Sequence, residues 1–227
     1  MERPSIDTDS GSSFLNWFRQ LFGSNSQPAA PVTPTRPIPT TTLDYNHPSL
    51  LAELAELKKY RALVEEAAGH YRLNPSLLCG IGSRESRWGL ALQPLGAAGT
   101  GDFHQRPPQP KVNRTTALPP DGKGFGRGLL QVDYDWHEFA RTGAWHSPRD
   151  NIFYACEILH KSLQVLVRER VAAHLQTRAM LAAYNGGVTN TLNALRAGLD
   201  VDANTTGKNY SKDVLDRTAW FQLHGWR

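Results

Sequence analysis

Asn74-Pro75-Ser76-Leu77-Leu78-Cys79-Gly80-Ile81-Gly82-Ser83-Arg84-Glu85-Ser86 reads as one helix that ends on a carboxylate. Asn74 suits the cap position. Pro75 suits the first turn, where its missing N–H has no helical partner to lose. Leu77, Leu78 and Ile81, with Trp88 just beyond, supply the apolar residues. Glu85 then falls on the last turn. A lone glutamate on a helix is ordinarily a surface residue, here with Arg84 or Arg87 as ion-pair partner. An apolar setting and the negative potential of a helix C-terminus would instead favour its protonated form, which a general acid requires.

Outward from this helix, the pattern stays helical. Leu50, Leu51, Leu54, Leu57 and Leu63 mark one helix after Pro48, with Glu53, Glu56, Lys58 and Lys59 on its wet face. Asp150-Asn151 caps a further helix over 152–170, and others are expected over 175–184, 189–197 and 212–221. Between 93 and 127 runs a Gly- and Pro-rich loop without a credible helix. The fold class is therefore mainly α, with room for a small hairpin in the long loop.

The loop and its exit carry the other candidate carboxylates. Asp102 stands in Gly99-Thr100-Gly101-Asp102-Phe103, where glycines let backbone approach a ligand. Asp133 closes Gly128-Leu129-Leu130-Gln131-Val132-Asp133, on or just before an expected helix start, where a plain N-cap is the structural alternative. Asp121 and Asp135 are weaker candidates, and Pro120-Asp121-Gly122 is a good turn. Later come Ala183-Tyr184-Asn185-Gly186-Gly187 and Asn209-Tyr210-Ser211-Lys212-Asp213-Val214. Tyr184 could be a core tyrosine, and Asn185-Gly186 a helix C-cap. Glycoside hydrolysis needs a protonated carboxyl for the leaving oxygen and a means of supplying or replacing water at the sugar carbon. Glu85 with Asp102 and Asp133 offers that set.

These four motifs in this order resemble the goose-type lysozyme family, within the lysozyme-like superfamily that includes soluble lytic transglycosylases. The resemblance runs from about 73 to 220. It implies a lysozyme-like helical domain that cleaves peptidoglycan. It implies Glu85 as general acid, with Asp102 and Asp133 positioning and activating water for an inverting reaction. Gln131 would lie at the floor of the cleft, Tyr184 and Asn185 would line it near the acid, and Tyr210 would contact glycan from the far side. Two departures stand out. Arg127 is inserted between Gly126 and Gly128, and residues 105–123 resemble an insertion beside Asp102 that carries Arg106, Lys111 and Arg114, with His104 just ahead of it. A lytic transglycosylase, needing only Glu85, and a non-catalytic glycan-binding module are the competing functions.

The first 47 residues differ in composition. Phe14, Trp17, Phe18 and Leu21 recur at helical spacing, with Leu15 and Phe22 alongside and Gly23 as a stop. A Pro/Thr/Ala-rich stretch from 27 to 42 then reads as a linker. The expected organisation is an extension over 1–47, with a helix at 13–23, and a catalytic domain over 48–227. The apolar helix would dock on a partner groove or a membrane surface, or else pack back on the domain. Met1-Glu2-Arg3-Pro4 does not open a secretory signal, so a wall enzyme would need lysis, a phage particle or an injection machine for delivery.

Other classes are excluded or weak. The net charge of +4 comes from scattered basic residues that form no aromatic-interleaved stripe, so no nucleic acid is expected. His47, His70, His104, His137, His146, His160, His174 and His224 show no ligand spacing, so no metal is expected. Phosphate-loop and dinucleotide fingerprints are lacking, so no cofactor is expected either. Cys79 and Cys156 read as buried thiols, with one bridge between two helices left open.

Overall fold

The computed structural model describes residues 40–227, so the expected helix at 13–23 and most of its linker lie outside the described residues. Eight α-helices dominate what is described: α1 Pro48–Lys58, α2 Arg61–Tyr71, α3 Pro75–Ser86, α4 Phe139–Thr142, α5 Pro148–Arg168, α6 Ala173–Gly186, α7 Val188–Arg196 and α8 Tyr210–Leu223. The mainly α class holds.

Two sequence readings shift. The single helix expected across Leu50 to Leu63 is two helices, because the chain leaves helical geometry at Tyr60 (φ −107°, ψ 8°). Leu50, Leu54 and Leu57 are the buried face of α1, whereas α2 buries Val64, Ala67 and Ala68. The helix expected from 152 starts earlier, at Pro148. Ser147 Oγ accepts from Asp150 N at 3.4 Å, so the serine–proline pair makes the cap. This leaves Asn151 buried and free to bond elsewhere. The one-turn α4 was not expected; it is too short to carry a periodic signal.

Helix α3 starts as read, with Asn74 Oδ1 accepting from Ser76 N at 2.9 Å. It stops without a glycine: Arg87 and Trp88 both take left-handed backbone (φ 53° and 54°), and Trp88 N donates to Gly82 O. The Trp88 ring is buried against Gly82, and its Nε1 donates to Cys79 O at 3.1 Å, which holds this stop in place. Helices α3 and α8 pack against each other. A Cβ on Gly80 would stand 2.5 Å from Thr218 Oγ1 and 2.6 Å from Val214 O, so only glycine lets the helices come this close. Trp88, Tyr210, Val214, Trp220, Phe221 and Trp226 share one core with the apolar faces of α1–α3 and α5–α7. Cys79 and Cys156 are buried and unbridged, and burial pushes the Cys156 thiol up to about 12.

A three-stranded antiparallel sheet takes the place of the hairpin expected inside the loop. Only β1 (Thr100–Gly101) lies well within the loop; β2 (Gly126–Arg127) closes it, and β3 (Val132–Asp133) follows. Gly101 pairs with Gly126 and Gly126 with Asp133, so two glycines and a carboxylate fall in one row. Residues 42–45, placed in the extension on composition, pack on the body. Thr42 N and Oγ1 bond Asp216, Trp220 Nε1 donates to Asp44 O, and Tyr45 stacks on His224. Among the described residues no helix is long and apolar enough to cross a membrane.

Candidate active site

Three helices grip the turn between β2 and β3. From the end of α3, Ser86 Oγ donates to Leu129 O at 2.6 Å. From α6, Tyr184 Oη donates to Leu130 O at 2.6 Å. From α5, Asn151 accepts from Leu130 N and donates to Arg127 O, both at 2.9 Å. These bonds satisfy the carbonyls of Arg127, Leu129 and Leu130 and the amide of Leu130, and Gln131 and Asp133 acquire a fixed relation to the end of α3. Gln131 itself takes left-handed backbone (φ 50°) and donates Nε2 to Gly128 O at 2.7 Å. Its Oε1 lies over the glycine row: a Cβ on Gly101 or Gly126 would come within 2.3 Å or 2.2 Å of it.

Glu85 is half-buried at the end of α3, one residue before Ser86. Neither neighbouring arginine pairs with it. Arg84 reaches Asp213 at 3.3 Å and Arg87 reaches Glu53 at 2.9 Å. Its partner is Tyr210, whose hydroxyl donates to Glu85 Oε1. Loss of hydration pushes the Glu85 carboxyl up to about 7, against the opposing pull of the Tyr210 hydroxyl and the Arg84 charge. Tyr184 and Tyr210 respond in turn. Burial, reinforced by the nearby Glu85 charge, holds both phenols well above their ordinary range.

Tyr210 therefore differs from its expected place. It is 1 % exposed, and its hydroxyl is spent on the acid, so it offers little surface to a glycan. The first turn of α8 is pinned by buried Asp202, which accepts from Ser211 N at 2.8 Å and Ser211 Oγ at 2.7 Å. Asn185, one residue past Tyr184, sits within α6 and accepts at Oδ1 from Thr206 N at 2.8 Å. The helix cap is Gly187, not Asn185-Gly186.

Asp133 caps no helix. It ends β3, and its Oδ1 accepts from Asp135 N at 2.8 Å. Asp102 leaves β1 in left-handed backbone (φ 52°), with its carbonyl accepting from Phe125 N at 2.9 Å. The two carboxylates meet through Arg106. One guanidinium nitrogen bonds Asp102 Oδ2, and the other bonds Asp133 Oδ2 at 2.9 Å. Arg127 disturbs no register; it pairs with Thr100 and Val132. Its fully buried guanidinium meets Asp121 at 2.8 Å and 3.0 Å and lies over the rings of Tyr134 and Trp145.

Several contributors were not singled out from sequence. Ser86 and Asn151 act through backbone carbonyls and amides, which leave no residue pattern. Asp202 belongs to a short 3₁₀ turn (Val201–Asn204). Arg106 had one signal, a guanidinium carried in an inserted loop beside two aspartates. Among the described residues no group of three or more His, Cys, Asp or Glu side chains could hold a metal ion.

Comparison with known proteins identifies the family. A family profile described as Lysozyme g matches residues 112–225. The chain is similar to a lysozyme g of Takifugu rubripes, 31% identical over 172 residues, covering 73% of this chain and 75% of the relative. It is similar to a lysozyme g of Struthio camelus, 28% identical over 176 residues, covering 77% and 71%. A lysozyme g of Cyprinus carpio is 29% identical over 184 residues, covering 79% and 82%. On this match the chain belongs to the lysozyme g family and is a glycoside hydrolase.

Proposed function

We propose that the protein hydrolyses the β-1,4 bond from N-acetylmuramic acid to N-acetylglucosamine in peptidoglycan, with inversion. Glu85 gives its proton to the glycosidic oxygen as the bond from the anomeric carbon breaks. A water held on the side of Asp102 and Asp133 adds to that carbon and passes a proton to a carboxylate there. Gln131, Tyr184 and Asn185 are the residues proposed to contact glycan, and Tyr210 serves the acid from beneath. The observation that carries this reading is the state of Glu85. It has no ion pair and accepts a phenol hydrogen bond, and its carboxyl is pushed up to about 7. Such a group still carries its proton near neutrality and can release it in the transition state.

A lytic transglycosylase is the second reading, and one observation favours it. Both Asp133 oxygens and Asp102 Oδ2 are already engaged by protein groups. In that reaction the muramic acid 6-hydroxyl attacks in place of water, and no second carboxylate is needed. Analysis of chain ends after digestion of purified peptidoglycan separates the two. New reducing ends equal in number to cuts support hydrolysis; 1,6-anhydro-muramic ends as the main product overturn it.

We read residues 14–22 as a docking segment for a partner groove or a membrane surface, which would bring the enzyme to cell wall outside the cytoplasm. Apolar residues at helical spacing, followed by a Pro/Thr-rich stretch, support this. Removal of residues 1–39 should leave turnover on purified peptidoglycan unchanged while attachment is lost; a large fall in turnover would contradict it.

A further inference from the structure

The loop over residues 103–123 is built around a buried arginine. Arg114 is 2 % exposed and forks onto Asp135, with Nε at 2.9 Å from Oδ1 and Nη2 at 3.2 Å from Oδ2. Its remaining donors bond the loop's own carbonyls, those of Arg106, Pro107 and Thr116. Arg106 N donates to Ala117 O at 2.9 Å, which closes the loop on itself. Both guanidiniums lie over the Phe125 ring, 3.9 Å and 4.9 Å from its centroid. The loop is thus a rigid arm that delivers Arg106 to the sheet.

Charge and hydrogen bonding then separate the two aspartates. Three carboxylates (Asp102, Asp133 and Asp135) face two guanidiniums, so one negative charge is left over. Asp135 uses both oxygens on arginines. Asp133 uses Oδ1 on Asp135 N and Oδ2 on Arg106. Asp102 gives only Oδ2 to Arg106, and among the described residues its Oδ1 has no partner while the side chain is about one-third exposed (35 %). A carboxylate oxygen already occupied by charged donors is a poor base; one with a spare lone pair, held still by its neighbour, is a good one.

We propose that Arg106 is the positioning residue of this site: anchored on Asp133, it holds Asp102 so that Oδ1 is the oxygen that takes the proton from water. Asp133 is then the anchor and Asp102 the base. The inference rests on the hydrolytic reading given above. Also nearby are Arg141, bonded to Tyr134 O, and His137, whose backbone N donates to Asp133 O and whose imidazole is held below its ordinary pKa, mainly by burial.

The test uses the full chain and purified peptidoglycan, with Arg106→Ala, Arg106→Lys, Asp102→Asn and the Arg106→Ala/Asp102→Asn pair. Arg106→Ala should lower kcat on the order of 10- to 100-fold with KM nearly unchanged, as expected when a reacting group is held less well. Arg106→Lys, which keeps the charge but bonds one carboxylate at a time, should recover part of the lost kcat. The paired variant should be no slower than Asp102→Asn alone, since both act through one oxygen. Wild-type kcat in Arg106→Ala, a loss confined to KM, or losses that multiply in the pair, would overturn the inference. Glu85→Gln, run alongside, keeps the two claims apart. If it is inactive while Arg106→Ala matches wild type, only the role of Arg106 fails. If it is fully active, Glu85 is not the proton donor and the hydrolytic mechanism given above fails.

Discussion

Tyr210 donates its hydroxyl to Glu85 Oε1 across the contact between α8 and α3. One end of this relationship is set by Asp202, which caps the first turn of α8, and the other by the stop of α3 at Arg87 and Trp88. The hydrogen bond favours the charged carboxylate, while loss of hydration favours the neutral acid and prevails, leaving Glu85 at about 7.

The pH dependence of kcat/KM follows from this balance. The acid must be protonated, so activity should fall as pH rises through about 7. Tyr210→Phe removes a contact that favours ionisation, so its alkaline limb should lie at higher pH than wild type. A pH–rate profile of both proteins checks this; a limb that moves to lower pH would contradict it.

Stability should carry the same signature. Glu85 titrates at 4.5 ordinarily and at about 7 in the folded chain, so the folded state holds the proton more tightly. That contribution is complete below about 4.5 and is lost as pH rises through about 7. Glu85→Gln stays neutral throughout and can still accept from Tyr210. Its melting temperature relative to wild type should therefore climb between pH 5 and pH 8, by about 2–4 °C for each kcal/mol involved. A pH-independent difference would contradict the account.

The glycine row beneath Gln131 predicts a paired effect. Gly126→Ala places a Cβ 2.2 Å from Gln131 Oε1, so the glutamine must move. The cost should be about 1–3 kcal/mol of stability together with a loss of activity. Adding Gln131→Ala should restore most of the stability and none of the activity. Urea unfolding and turnover measure the two.

Arg127 and Asp121 form an asymmetric pair. Asp121→Ala leaves a fully buried guanidinium without its carboxylate and should cost about 1–3 kcal/mol. Arg127→Met removes the charge and fills the same space against Tyr134 and Trp145, so it should cost less. Equal losses by chemical denaturation would show that the ion pair itself is not what matters.

Much of the fold was legible because it rests on short-range signals. Asn74-Pro75 announced α3, and the apolar spacing announced α1 and the later helices, though the break at Tyr60 and the Ser147–Pro148 start were misplaced. The sheet was not legible. Its strands are two residues each and owe their existence to a turn held by Ser86, Asn151 and Tyr184 from three helices. The same holds for the site. Glu85, Asp102 and Asp133 could be named from motif order, but the meeting of the two aspartates on Arg106 is a long-range contact. Tyr210 was named too, but its bond to Glu85 comes from the close approach of α8 to α3 at Gly80, which no local pattern announces.

The central claim is that Glu85 is the proton donor of a glycosidase, and turnover of Glu85→Gln on purified peptidoglycan tests it most directly. The account predicts a folded protein whose kcat falls at least about 100-fold at pH 6, the scale of a lost general acid. Clearing of peptidoglycan at the wild-type rate by this variant would contradict it.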